Sequence, residues 1–171
     1  METPKNKLTP KEKQFLDGLR DYLDTKLFYY GSIQRDDYIP GKSDVDINIF
    51  TDNTDSTISK LQHYLHVQRK EFQKIVWKIY KPNKLVTGYK LKYKNSFINL
   101  EISVYNIKYK QIIIDDHNSK LSLPFISYCI LHILKLLFYR LNIIPASVYI
   151  YIKRKIFSTG IGLPTDEFIL L

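Results

Sequence analysis

The sequence predicts a single α+β domain that ends in two helices, on three observations. Between residues 27 and 105, short runs alternate apolar and polar positions and are broken by Gly, Pro, Asn and Asp, the pattern of strands and turns. Residues 8–26 and about 55–67 instead repeat apolar residues at helical spacing. From Pro124 the texture changes to long, mostly apolar helical stretches. Residues 1–123 therefore read as the core, and 124–171 as a helical segment packed on it.

The opening helix has Thr9 as N-cap and Pro10 at its first position, with Phe15, Leu16, Leu19 and Leu23 on one stripe. A first strand ends at Tyr30, and a second covers Asp44–Phe50. After the turn 52–55, Asp55 or Ser56 caps a helix whose stripe is Ile58, Leu61 and Leu65. Strands follow at 75–81, ending at Pro82-Asn83, and at 85–93 and 97–105, the last two joined by the turn Lys94-Asn95-Ser96. Asp115, Asp116 and His117 read as loop. Phe125–Leu141 and about Ala146–Phe157 are the two terminal helices; Gly160, Gly162 and Pro164 mark a loop before the apolar tail Phe168–Leu171. The run 121–139 approaches bilayer-spanning length, but Pro124, His132 and Lys135 interrupt it, so a helix buried against the sheet is expected and no membrane partner.

Composition narrows the classes. Of 171 residues, 44% are hydrophobic and 14 are Tyr, which argues against disorder. Cys129 is the single cysteine, so there is no intrachain disulfide and no cysteine zinc site; the cytoplasm or another reducing compartment is expected. The first residues lack the apolar core of a signal peptide. A net charge of +9 favours a polyanionic partner, nucleic acid or a phosphate-rich small molecule.

The chemistry concentrates in Tyr30-Gly31-Ser32 and Ser43-Asp44-Val45-Asp46-Ile47. Strand parity puts Asp44, Asp46 and Asn48 on one face and Val45, Ile47 and Ile49 on the other. Two carboxylates about 7 Å apart along a strand suit hard cations such as Mg²⁺ or Mn²⁺. The Gly31-Ser32 turn offers N–H groups and a hydroxyl to a phosphate. In the strand 97–105, Leu100, Ile102 and Val104 face one way, and Asn99, Glu101 and Ser103 the other. Glu101 thereby joins Asp44 and Asp46 as a candidate catalytic and metal-binding carboxylate, the set that two-metal phosphoryl transfer uses. Glu101 paired with a lysine such as Lys92 is the plainer alternative. Lys153-Arg154-Lys155 is either a solvated face or a grip for an acid polymer.

Gly31-Ser32, Arg35 and Ser43-Asp44-Val45-Asp46-Ile47, with a third acid on a later strand, resemble the signature of the polymerase-β-like nucleotidyltransferase superfamily. The resemblance implies a small mixed β-sheet with flanking helices and NMP transfer from an NTP with two Mg²⁺ or Mn²⁺ ions. It places Gly31, Ser32, Arg35 and Ser43 on the nucleotide. A second similarity, to the helical module of poly(A) polymerases, oligoadenylate synthetases and cyclic dinucleotide synthases, runs through Lys135, Ser147 and Tyr149. It implies that Lys135 and Ser147 meet the triphosphate and Tyr149 the base or sugar. Three positions depart from the pattern: Glu101 for the usual Asp, Asp36 where a glycine commonly follows the arginine, and no glycine before Ser147.

The expected activity is template-independent transfer of an NMP, with AMP the candidate, to a hydroxyl on an acceptor for which nucleic acid, RNA ahead of DNA, is favoured. A catalytically degenerate member kept as an NTP- or nucleic-acid-binding regulatory module is the alternative. A gap-filling DNA polymerase ranks lower, because no hairpin-rich N-terminal module is recognisable.

Overall fold

Val45–Thr51 is apolar at four of its seven positions and buried at five, and such a strand is stable only when both faces are covered. The computed structural model, which describes residues 1–79, 83–119, 121, 124–161 and 168–170, places it inside a mixed sheet. The strands are β1 (Phe28–Tyr30), β2 (Val45–Thr51), β3 (Gln73–Ile79), β4 (Lys84–Lys94), β5 (Asn99–Asn106) and β6 (Phe168–Leu170). Their order is β1-β2-β5-β4-β3-β6, with β2 and β5 parallel and the other neighbours antiparallel. The helices are α1 (Pro10–Leu23), α2 (Thr54–Leu65), α3 (Lys110–Ser119), α4 (Phe125–Lys135) and α5 (Ala146–Ile161). This is an α+β architecture, a small mixed sheet with flanking helices, as the sequence resemblance implied.

Helices α1 and α2 cover one face of the sheet. Leu16, Leu19, Leu23, Ile58, Leu61 and Leu65 pack there on Val45, Ile47, Ile49, Leu100, Ile102 and Val104. The start of α1 is secured by a capping box: the Thr9 hydroxyl accepts from the Glu12 N–H, and the Glu12 carboxylate accepts from the Thr9 N–H at 2.7 Å. On the opposite face a smaller cluster of Phe28, Phe50, Ile75, Trp77, Tyr105 and Ile113 lies beneath α3.

Several boundaries differ from the sequence reading. Asn53, not Asp55 or Ser56, caps α2, its side chain accepting from the Ser56 N–H. Residues around Asp115–His117 form α3 rather than a loop, because Ile113 fills the second cluster and draws its neighbours into a helix. The first terminal helix ends at Lys135 and continues as a π-helical turn, Leu136–Arg140. Helix α5 reaches Ile161, so Gly160 is helical. Pro82 and the loop at Gly162 and Pro164 lie outside the described residues. Phe168–Leu170 returns to pair with β3. No helix among the described residues is long and apolar enough to cross a membrane.

Candidate active site

Because β2 and β5 run parallel and in register, residues of equal parity stand side by side on one face. Asp46 lies beside Glu101, Asn48 beside Ser103, and Phe50 beside Tyr105. The row grades from apolar under α3 to charged at the open end. That end forms the floor of a cleft of roughly 690 Å³, walled by the Gly31-Ser32 turn, β4 and helix α5. Asp44, exposed at the entry to β2, completes the acidic floor. Gly31 has φ +69°, and a Cβ there would run into Asp46 Oδ2, so turn and carboxylate are fitted to each other. Ser32 is buried in the same turn, and its carbonyl accepts from the Arg35 N–H at 2.9 Å.

Burial and the crowding of like charges together shape the floor. Burial, then the neighbouring charge of Glu101 and a smaller effect of Asp44, push the Asp46 carboxyl up to about 7. Glu101 is held on its other side: Lys90 Nζ lies 2.6 Å from its Oε1, and the Tyr30 hydroxyl donates to the same oxygen at 3.3 Å. Lys90, not Lys92, is therefore its lysine. Tyr30 is stacked on His117 of α3 with ring centroids 4.3 Å apart. Burial and the Glu101 charge drive the Tyr30 hydroxyl well above its ordinary value, so it stays a donor.

Divalent cations fit this floor by chemistry. The donors are carboxylate oxygens, which Mg²⁺ and Mn²⁺ prefer, and repulsion between Asp46 and Glu101 is what an added cation would relieve. Asp44 and Asp46 are open to such an ion, whereas Glu101 carries Lys90. Among the described residues no three His, Cys, Asp or Glu side chains already stand close enough to hold one.

The far wall is α5. Tyr149, Ile150, Lys153, Arg154, Phe157 and Ser158 line the cleft, a stripe at helical spacing. Tyr149 is buried by stacking on Phe138, with centroids 4.4 Å apart. Ser147 and Lys155 are exposed and do not line the cleft. The sequence-predicted residues thus divide. Gly31, Ser32, Arg35, Ser43, Asp44, Asp46, Glu101, Lys135, Tyr149, Lys153 and Arg154 meet at one cleft, and Ser147 and Lys155 do not.

At the back of the cleft Arg35 and Lys135 converge on Asp37. Arg35 Nε donates to Asp37 Oδ1 at 2.9 Å; Lys135 Nζ donates to the Asp37 carbonyl at 2.7 Å and lies 3.0 Å from Oδ2. Burial alone would raise the Asp37 carboxyl, but the two cations hold it below its ordinary value. Burial lowers the Lys135 ammonium against the opposing pull of Asp37. Ser43 Oγ accepts from the Ile39 N–H at 3.1 Å and stands 3.4 Å from Lys135 Nζ. Arg35 also lies over the Phe157 ring at 5.1 Å, tying the loop to α5.

With this geometry in hand, comparison with known proteins is informative. The family model for a nucleotidyltransferase domain matches residues 12–121, more than half of the chain. The chain belongs to that family. Among curated proteins none matches. Solved structures of the Cid1 poly(U) polymerase are similar at 19% identity over 78% of this chain and 41% of that one, with a TM-score of 0.39. Another Cid1 structure, described by its RNA terminal uridylyl transferase activity, matches at 20% identity over 57% of this chain and 32% of that one, with a TM-score of 0.35. The chain spans 32% to 41% of the length of these structures.

Sequence reasoning missed several residues of this nucleotidyltransferase domain. Asp37 was hidden because Asp36 and Asp37 look alike in a polar loop; Asp36 is exposed and pairs with Lys5 at 2.7 Å, while Asp37 is sealed. Lys90 was hidden because it reaches Glu101 diagonally across the β4–β5 ladder, its direct partner being Ser103. Strand parity, which groups Lys90 with Lys92 on the cleft face, was the signal that could have found it. His117 was passed over when its segment read as loop.

Proposed function

We propose that this nucleotidyltransferase domain moves an NMP, with AMP the candidate, from an NTP to a hydroxyl on a nucleic-acid acceptor, RNA ahead of DNA, without a template. The observation that carries the reading is the in-register pair Asp46 and Glu101, set against the Gly31-Ser32 turn in one cleft. Asp44 and Asp46 would hold divalent ions, Mg²⁺ or Mn²⁺, with Glu101 as third ligand. Bound there, the ions would supply Lewis-acid stabilisation of the triphosphate and acidify the acceptor hydroxyl.

The chain's own groups do the rest. The Ser32 hydroxyl and the N–H groups of its turn orient the triphosphate, and the Tyr149–Phe138 stack offers a flat surface near the base. The acceptor oxygen bonds to the α-phosphorus, the bond to the β-phosphate bridging oxygen breaks, and pyrophosphate leaves. The hydroxyl proton passes to a Glu101 carboxylate oxygen and then to solvent. Lys153 and Arg154 line the cleft, and their charge would attract a polyanionic acceptor there.

The test is incubation with Mg²⁺ or Mn²⁺, each labelled NTP in turn, and RNA, DNA or no acceptor, beside Asp44→Ala/Asp46→Ala. Label transfer to RNA that vanishes in the double variant is expected. NTP binding with no transfer to any acceptor would sink the enzyme reading. That result would favour a second reading, a binding or regulatory module, for which the engagement of Glu101 by Lys90 is the supporting observation.

A further inference from the structure

Three features of the cleft floor point to Lys90. First, the ion pair is diagonal: β4 sets Lys90 opposite Ser103 and Lys92 opposite Glu101, yet Lys90 is the lysine 2.6 Å from Glu101 Oε1. Second, Tyr30 donates to the same oxygen, so Oε1 already has two partners. Third, the Lys90 and Glu101 side chains are 17% and 20% exposed, enclosed enough to be weakly screened but open to the cleft. The ammonium also bears electrostatically on Asp46, one strand further on. A single compact positive charge thus acts on two of the three acids that a divalent cation would use, and two cations cannot share Glu101 at contact without mutual repulsion.

We infer that Lys90 is a positioning residue that holds Glu101 in the ion-free cleft and is exchanged for the divalent ion when the site loads. The inference rests on the two-ion reading of the site. Exchange makes and breaks no covalent bond. It transfers one carboxylate from an ammonium to a metal and releases that ammonium onto the wall shared with Lys92. A phosphate of the acceptor strand is the group of complementary charge to meet it there. Loading of the ion and readiness for a polyanionic acceptor would then be one linked event.

The experiment measures Mn²⁺ binding to the full chain, by calorimetry and by loss of the free-ion EPR signal, with no NTP turnover involved. Variants are Lys90→Met, Lys90→Arg, Glu101→Gln and the double variant Lys90→Met/Glu101→Gln. Lys90→Met should bind Mn²⁺ more tightly, on the order of tenfold, because the ammonium that competes for Glu101 is gone. Lys90→Arg should stay near wild type, and the double variant should gain nothing over Glu101→Gln. Mn²⁺ binding to wild type that is unchanged or weakened in Lys90→Met overturns the inference and leaves the proposed function standing. So does tightening that persists without Glu101. No Mn²⁺ binding to wild type or to Lys90→Met overturns both.

Discussion

Two lysine–carboxylate pairs stand at one cleft, and they differ in what surrounds them. Lys135 and Asp37 are 2% and 0% exposed and share their site with Arg35, whereas Lys90 and Glu101 are 17% and 20% exposed. Both lysines meet a carboxylate at contact distance. The first pair is sealed, with backbone and hydroxyl partners filling the remaining donor positions, and links α4 to the loop 35–43. The second opens onto the cleft, where an incoming cation can reach it. Enclosure, rather than the kind of residue, separates a structural ion pair from an exchangeable one.

Breaking the sealed pair should have the largest effect. Lys135→Met leaves Asp37 buried with only Arg35, and a cost of about 3 kcal/mol is expected in urea denaturation. A cost below about 1 kcal/mol would mean that Arg35 alone satisfies Asp37 and that Lys135 is available to a triphosphate.

The carboxylates on the two sides should also respond to pH in opposite directions. Asp46, raised to about 7, favours the folded state when protonated; its stabilisation is full below about pH 4 and is lost as pH rises towards 7. Asp37, held below its ordinary value, stabilises above about pH 4 and is lost as pH falls through its folded value. Asp46→Asn should therefore be more stable than wild type at pH 8, by about 1–3 kcal/mol, with the gap closing towards pH 4. Thermal melts across that range check it, and a gap independent of pH would count against a raised Asp46 carboxyl.

Smaller effects should sharpen the contrast. Lys90→Met should change folding stability by less than about 1 kcal/mol, as befits a half-open pair. On the far wall, replacing Lys153 and Arg154 by Ala should reduce the salt dependence of RNA binding by up to about two phosphate contacts. Lys155→Ala, at a position that does not line the cleft, should leave that slope nearly unchanged. Equal effects at all three positions would show general attraction to the basic surface instead of a path through the cleft.

The fold was legible where the chain repeats at a clear period. Alternation in β2 and β5, the stripe of α1 and its Thr9–Glu12 box are local signals, and local signals survive without tertiary context. Helix α3 was not legible, because its amphipathic pattern is weak and burial of Ile113 against Phe50 and Tyr105 stabilises it. In the site, Gly31 and Ser32 are legible as a turn, Asp44 and Asp46 by spacing and Glu101 by parity, since each signal is local to one turn or one strand. Lys90, Asp37 and His117 act through contacts between elements, and which residues of α5 line the cleft depends on where that helix packs.

The sequence by itself determined the strand faces, the acidic residues that could share one of them and the glycine turn beside them. Backbone geometry dictates these wherever the strands lie. Only the tertiary structure decided that β2 and β5 run parallel and in register, which seats Asp46 beside Glu101. It alone decided which charges are enclosed, because burial belongs to the packed assembly and not to any segment of the chain. That is why one lysine is sealed on Asp37 and another waits at the edge of the cleft.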